Sequence, residues 1–553
     1  MEIPKLQDLT LREKIGQTMI LSSTKLTQMG DIEAYFAANP VGALWASGGS
    51  KKRETYLQTE TKAGNPQLAG RRDEMHIRLL NAINKHLRIP ILPVMDAFTG
   101  ITIFDDHAGL PTATSLGAAR DPDLAYRHGR ACGKDLHAIG CRWIWSPVAD
   151  NAGRFSGLRT MTCDREENCK LLAAYIKGMQ SAGVATSVKH FPGPDPRDTR
   201  DTHFCTASIS LSLEQWEKTQ MRDFQACIDA GVDSVMIRHA TFKAVDDTRV
   251  NGVLLPATLS HKIVTGLLRE KMGFRGLVLT DDVTMKALAT IYPEEKTYVE
   301  VLRAGVDMIL GPARLDYIDI VEKAVLSGDL PESRIDEACS QVLAIKEKYG
   351  LFSQGEYPIP TEEERKAIAD EIHAVSKEIS EKGITLCANR TGFLPINKEK
   401  IKRVKIVYIG YSDLCFENLR YAVEEFARHG AVCDVQEGFD KADNAALPGY
   451  DLIVYATYIG HFAPMGGQYF FEEKCRSMRR IMTVATEKSV GVSFGNPNIF
   501  FNYFTAAHTF VNAYSFTKET MESFVKGLYG EVQFTDFAPF PLNPLTGTND
   551  VYG

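Results

Sequence analysis

The chain has 553 residues, with hydrophobic residues at 44% and charged residues at 24%; this is an ordinary globular composition, too long for one core, so at least two domains are expected. Its 63 Lys and Arg against 70 Asp and Glu leave a net charge of -7, which excludes the basic footprint of a nucleic-acid-binding protein and suits a neutral substrate. No apolar stretch approaches the roughly 20 residues that cross a bilayer, so no membrane partner is expected.

The opening, MEIPKLQDLTLREKIGQTMI, has no basic segment leading into an apolar run and a small-residue cleavage site. It reads directly as a helix, with Thr10 as N-cap ahead of Leu11, Ile15 and Met19. The 11 cysteines are scattered, and Cys141, Cys387 and Cys433 sit in apolar runs. They read as reduced core thiols, which predicts a cytoplasmic protein. From Pro40 to Pro312 short apolar runs follow one another: PVGALWAS, PILPVMDAF, CRWIWSPVAD, VATSVKHF, DSVMIRHA, GLVLTDD and AGVDMILGP. Stretches of helical period lie between them, such as Pro122 to Ile139 and Leu213 to Ala230. Seven clear strands and one degenerate strand, alternating with helices, predict a TIM-type (β/α)8-like barrel over residues 1–350; a doubly wound sheet is the alternative. A charged helix, Thr361 to Gly383, belongs to a connector over 351–395. An α/β (αβα) sandwich domain follows over 396–553, with VKIVYIGYS, YDLIVYATYI, SVGVSFGN and AHTFVNAYS as strands. Helices are expected over Phe416 to His429 and Lys518 to Tyr529.

In a barrel the reacting groups belong at the carboxyl ends of the strands. Five runs end in ionisable residues: Asp96; Asp150; Lys189 with His190; Arg238 with His239; and Asp281 with Asp282. Any one alone reads as a salt bridge or a solvated strand end, and Asp281 alone reads as a helix cap. Five on one face point to a cleft, because ionisable groups ending apolar strands must be paired, solvated or used in chemistry. The loop after VATSVKHF carries Asp201-Thr202-His203, in which the carboxylate can take the ring N–H and fix the tautomer; a loop-stabilising hydrogen bond is the plain alternative. No HExxH, paired CxxC, phosphate loop or GxSxG elbow is present. A metal held by His190, His203 and His239 is weighed below acid–base chemistry, so neither a metal nor a cofactor is expected.

These motifs resemble glycoside hydrolase family 3, in particular its β-N-acetylglucosaminidase branch. The resemblance rests on LREKIGQTMI, the block LPTATSLGAARDPDLAYRHGRACGKDLHAIGCRWIWSPVAD, SVKHFPG, LLPATLSHKIVTGLLREKMGFRGLVLTDDVTMKAL, LRAGVDMIL, RIDEACSQVLAIKEKYGLF and ISEKGITLCANRTGFLPIN. It implies a retaining, exo-acting enzyme that releases a β-linked sugar, N-acetylglucosamine first among candidates, from a glycoside or oligosaccharide. It implies Asp281 as nucleophile, Asp201 and His203 as the acid/base dyad, and Asp96, Asp150, Lys189, His190 and His239 around the sugar. An imidazole titrates near neutrality, with an ordinary pKa of about 6.5, so a histidine can give a proton in one half-reaction and take it back in the next. Three departures touch the sugar rim: PGPDPRDTRDTH replaces the usual Pro-Gly-His-Gly-Asp-Thr run, DAFTGIT replaces Asp-x-Glu-Gly-Gly-Arg, and MTC replaces Arg-Ser-Phe, with Arg159 and Arg165 as substitutes. The rival readings are a β-glucosidase or β-xylosidase using Glu472 or Glu473, a glycoside phosphorylase, and a sugar-binding protein with a decayed site. A homodimer is compatible with the sequence.

Overall fold

The computed structural model describes residues 3–46, 72–97, 109–150, 157–198, 200–440, 443, 445–460, 469–481 and 486–551. Residues 98–102 of the DAFTGIT departure, and 466–468 ahead of Glu472, lie outside the described residues.

The first unit spans residues 1–108, 129–150 and 172–369. Its strands are β1 (Met19–Ser22), β2 (Ala43–Trp45), β3 (Leu92–Met95), β4 (Trp143–Ile144), β5 (Ala185–Phe191), β6 (Ala207–Ile209), β7 (Ser234–Ile237), β8 (Ala240–Phe242), β9 (Arg249–Val250), β10 (Val253–Leu254), β11 (Leu277–Thr280) and β12 (Ile309–Leu310). Eight form one parallel sheet in the order β11-β7-β5-β4-β3-β2-β1-β12. A bridge between Leu279 and Met308 joins its two ends, so the sheet closes into the expected barrel. The remaining strands pair locally: β6 runs parallel to β8, and β9 with β10 forms a hairpin.

The eighth strand is β1, inside the stretch whose apolar spacing reads as one helix. Thr10 does cap that helix, with a reciprocal Glu13 box, but the helix ends at Gln17. Met19 therefore belongs to a strand buried along its whole length. Four apolar or small residues with no polar face suit a barrel wall covered on both sides better than an amphipathic helix. The Leu213 to Ala230 stretch is likewise two helices, Leu213–Lys218 and Gln220–Asp229, parted at Thr219, whose backbone (φ -122, ψ -96) is not helical.

Alternate residues fill the barrel interior. Ala43, Leu92, Val94, Trp143, Trp145, Ala185, Met236, Leu277, Leu279 and Met308 form one buried cluster. Val342, Ile345 and Leu351, from and just after the helix Glu332–Lys348, join it. The inward row therefore continues from Val94 to Asp96, from Ala185 through Ser187 to Lys189, from Met236 to Arg238, and from Leu279 to Asp281, because strand side chains alternate with period two. Apolar layers below pass into ionisable groups at the carboxyl ends.

The second unit gathers residues 109–128, 151–171 and 370–553. Its sheet contains β13 (Thr385–Asn389), β14 (Arg403–Gly410), β15 (Val432–Glu437), β16 (Leu452–Tyr458), β17 (Ser489–Ser493) and β18 (Thr509–Asn512), in the order β13-β18-β17-β16-β14-β15. All neighbours are parallel except β13 with β18. Along β14, Ile406 and Tyr408 join the core beneath the helices Asp413–Arg428 and Lys518–Leu528, while Val407 and Ile409 join the core on the opposite face. Covered on both faces, the sheet is the middle layer of the expected sandwich. Within this unit Thr112 Oγ1 donates to the carbonyl of Tyr514 (3.0 Å), and the N–H of Cys163 to that of Pro539 (2.8 Å). The segments that follow β3 and β4 thus find partners near the end of the chain.

Candidate active site

The inward row at the carboxyl ends of β3, β5, β7 and β11 brings Asp96, Lys189, Arg238 and Asp281 into one mouth. Lys189, 2% exposed, donates through Nζ to Asp96 Oδ1 at 2.7 Å. A buried ammonium needs such a partner. Asp150, just beyond β4, accepts from the His190 N–H at 2.9 Å and from His190 Nδ1 at 2.7 Å. Burial pushes the Asp150 carboxyl up, but the His190 ring, its hydrogen bonds and Arg238 outweigh it and hold the group at about 2. The carboxylate fixes the ring of His190 with Nδ1 as donor, so Nε2 is the nitrogen left to face the mouth.

Asp281 follows β11 and is half-buried; its N–H donates to the carbonyl of Ile237 at 3.0 Å. Burial pushes its carboxyl up as well. His190, His239, the N–H of Asp282 (2.9 Å to Oδ1) and Lys189 more than offset this, leaving the group below the ordinary carboxylate range. An ionised carboxylate among cationic and N–H groups is the protonation state a nucleophile requires. Asp282 points elsewhere: its Oδ1 accepts from the N–H and hydroxyl of Thr284.

His239 is fully buried with both ring nitrogens engaged, Nδ1 at 2.7 Å from Thr258 Oγ1 and Nε2 at 3.0 Å from the carbonyl of Asp282. A carbonyl only accepts, so Nε2 carries the proton and Nδ1 accepts from the Thr258 hydroxyl. Burial lowers the pKa of the ring and favours this neutral form. His239 thus braces the backbone beside Asp281 and leaves no nitrogen for a sugar.

Three Asp-x-cation units follow one another in the loop 195–203: Asp195 to Arg197, Asp198 to Arg200 and Asp201 to His203. In each, Oδ1 of the aspartate accepts from the N–H of the third residue (2.9, 3.0 and 3.0 Å) and from a nitrogen of that residue's side chain (3.0, 2.9 and 2.7 Å). The first two aspartates are also tied to the strand beside them. Asp195 Oδ2 accepts from the N–H of Ser210 at 2.8 Å, and Asp198 Oδ2 from that of Ser208 at 2.7 Å. The third departs from the pattern, since Asp201 Oδ2 is buried without a partner among the described residues. His203, with 45% of its side chain exposed, keeps Nε2 free beyond the Asp201 contact.

This loop is fastened to the Asp281 segment. The N–H of Lys286 donates to the carbonyl of His203 (3.2 Å), that of Ala287 to Thr202 (3.3 Å), and Thr206 Oγ1 to the carbonyl of Ala287 (3.2 Å). The dyad and Asp281 therefore share one hydrogen-bonded frame, although some 80 residues separate them in sequence. The threefold Asp-x-cation pattern is written in DPRDTRDTH, and only its last unit stands out as a dyad when chemistry alone is sought. Half-buried Trp45, at the end of β2 and 5.2 Å from the Trp145 ring centroid, is a further aromatic wall that strand-end charges do not signal. Arg159 and Arg165 belong to the second unit. Among the described residues no group of His, Cys, Asp and Glu has the geometry to hold a metal ion, and no helix is long and apolar enough to cross a membrane.

Residues 10–345 match the model of the glycosyl hydrolase family 3 N-terminal domain. A protein of Cellulomonas fimi named β-N-acetylglucosaminidase/β-glucosidase is 28% identical over 475 residues, covering 78% of this chain and 80% of the other. Among solved structures, a β-glucoside phosphorylase aligns over 99% of this chain and 96% of its own, with a TM-score of 0.82 and 22% identity. A family 3 β-N-acetylglucosaminidase from Paenibacillus aligns over 97% of this chain and 99% of its own, with a TM-score of 0.77 and 24% identity.

Proposed function

The chain belongs to glycosyl hydrolase family 3, and from that premise we propose that it is a retaining, exo-acting glycosidase that releases β-linked N-acetylglucosamine. Asp281 attacks the anomeric carbon as leaving-group departure builds an oxocarbenium-like centre, and a glycosyl-enzyme forms. His203, held by Asp201 through Nδ1, protonates the departing oxygen from Nε2. In the second half-reaction the same nitrogen takes a proton from water, the hydroxide attacks the anomeric carbon, and Asp281 leaves with net retention. Asp96 with Lys189, and Asp150 with His190, take up sugar hydroxyls at the buried end. His239 positions the Asp281 backbone.

The observation that carries this reading is the frame that joins the two reacting groups: Lys286 and Ala287, five and six residues beyond Asp281, donate to His203 and Thr202 at 3.2 and 3.3 Å. An acid/base loop bonded to its nucleophile's own loop keeps both groups registered on one substrate, where a small misplacement is costly. The choice of sugar leans on the name of the Cellulomonas fimi relative and on the intact Asp-x-His dyad. The test is to trap the enzyme with a 2-fluoro glycosyl donor and locate the adduct by mass spectrometry. Label on Asp281, absent in Asp281→Ala, is expected; label on another carboxylate would overturn the assignment. Comparing nitrophenyl β-N-acetylglucosaminide with the β-glucoside tests the sugar. A phosphorolytic variant of the reaction has one feature in its favour, because a neutral imidazole repels an incoming phosphate less than a carboxylate does. It predicts phosphate-dependent release of sugar 1-phosphate.

A further inference from the structure

Arg238 lies on the inward row directly above Met236, in the same mouth as Lys189 and Asp281. Its backbone is fixed, the N–H donating to the carbonyl of Phe191 at 2.7 Å. Its guanidinium is not. The side chain is 18% exposed, Nη1 stands 3.8 Å from Asp150 Oδ2, and Nε is buried without a partner among the described residues. At 3.8 Å, beyond hydrogen-bond reach, Asp150 faces Arg238 as a charge rather than as a hydrogen-bond acceptor.

Other guanidinium groups in this unit show what saturation looks like. Arg269 donates to the carbonyls of Gly276 and Gly305 and to Asp307, and Arg334 to the carbonyls of Leu302 and Val306 and to Asp307. Those two are structural clamps with both terminal nitrogens hydrogen-bonded. Arg238 has its charge compensated across a gap and its donors unmatched. A buried donor without an acceptor is costly, and a guanidinium offers five N–H groups in a planar fork. Among the described residues, then, Arg238 lacks an acceptor oxygen rather than a counter-charge.

We infer that Arg238 is a substrate-binding, specificity-determining residue that donates to neutral hydroxyl oxygens of the bound sugar, on the Asp150–His190 side of the mouth. The inference rests on the reading of this mouth as the sugar site and adds a contact to it. The fork reaches two oxygens at once, so it discriminates by hydroxyl position.

The experiment measures kcat/KM of the wild type, Arg238→Met and Arg238→Lys on the nitrophenyl glycoside the enzyme turns over and on its monodeoxy analogues. Arg238→Met is expected to lose about 10–100-fold on the parent sugar, the worth of hydrogen bonds to a charged donor. The analogue lacking the contacted hydroxyl should lose activity in the wild type but show little further loss in Arg238→Met. Arg238→Lys should regain only part, having charge without the fork. Losses that simply add for every analogue would overturn the contact. A larger loss on the corresponding β-glucuronide than on the neutral parent would overturn the neutral acceptor in favour of a carboxylate. Labelling by the 2-fluoro donor separates the layers of the argument. A variant that still labels at Asp281 has a folded site, so its kinetics judge Arg238 alone, whereas failure of the wild type to label overturns the underlying reading.

Discussion

At the residue scale, function turns on how each ionisable group is paired. Asp281 accepts from the N–H of Asp282 and lies near His190 and the Lys189 ammonium, which favour its ionised form. His203 has one nitrogen committed to Asp201 and one free. Removing the imidazole in His203→Ala is expected to cost ~10²–10⁴-fold in kcat on an alkyl glycoside, the usual worth of acid–base assistance. The loss in the first step should shrink on a substrate with a very acidic leaving group, and steady-state kinetics on the two substrates checks both. Asp150 adds a pH effect. Its folded pKa of about 2 lies below the ordinary value of 3.8, so its contribution to stability is complete above pH 3.8 and is lost as pH falls through the interval down to about 2. Asp150→Asn should therefore flatten the fall of the melting temperature across that interval. The strand-end positions of these groups are legible in sequence because each follows an apolar run. Their pairing is not, since Asp150–His190 and Asp96–Lys189 join residues 40 and 93 apart in the chain. Nor does sequence reveal that His239 is fully engaged, or that Arg238 is not.

At the scale of the element, the loop 195–203 explains how an unusual sequence carries a familiar dyad. Burial pushes the carboxyls of Asp195 and Asp198 up, and hydrogen bonds from their own arginines, from the Ser210 hydroxyl to Asp195, and from backbone N–H groups bring them below their ordinary range. Asp195 and Asp198 are therefore each pinned through both carboxylate oxygens, and the dyad follows these two braced units. Asp198→Ala removes the bonds to Arg200 and Ser208 while leaving Asp201 and His203 in place. The expected result is a kcat/KM lower by roughly 10–100-fold, from misplacement of the imidazole, with a melting temperature within a few degrees of wild type. Unchanged kinetics would mean that the Lys286 and Ala287 bonds suffice alone. Strands were legible where both faces are buried, as in β14 and β16, because they form continuous apolar runs. β15 was not: as an edge strand of VCDVQE, with Val432 69% exposed, it offers neither an apolar run nor a strict alternation. β1 was hidden by apolar residues that also fit a helical spacing.

At the scale of the whole molecule, the barrel is a stack: apolar layers within, chemistry at one end, and a plug of Val342, Ile345 and Leu351 joined to its interior cluster. Next to Ile345, the amine of Lys346 is fully buried and donates to Gln17 Oε1 at 2.6 Å, with no carboxylate bonded to it among the described residues. Burial pulls its pKa down to about 7. The unfolded chain, with a lysine near 10.5, then binds more protons than the folded one between about pH 7 and 10.5, so this group makes stability rise with pH across that window. Lys346→Met should remove that rise and increase the melting temperature at neutral pH, which thermal unfolding across the pH range would check. A melting temperature lowered at every pH would show that the Gln17 bond outweighs the cost of burying the amine. The barrel-plus-sandwich architecture was legible from the alternation of runs and helices. The membership of residues 109–128 and 151–171 in the second unit was not, because their partners lie hundreds of residues away. Those two excursions bear on how the protein is made. A ribosome delivers the barrel strands first, yet Thr112 waits for Tyr514 and Cys163 for Pro539, an interval of tens of seconds at roughly 5–20 residues per second. Until the last residues emerge, the nascent chain holds two unfinished segments next to β3 and β4, where a chaperone has its longest opportunity to bind.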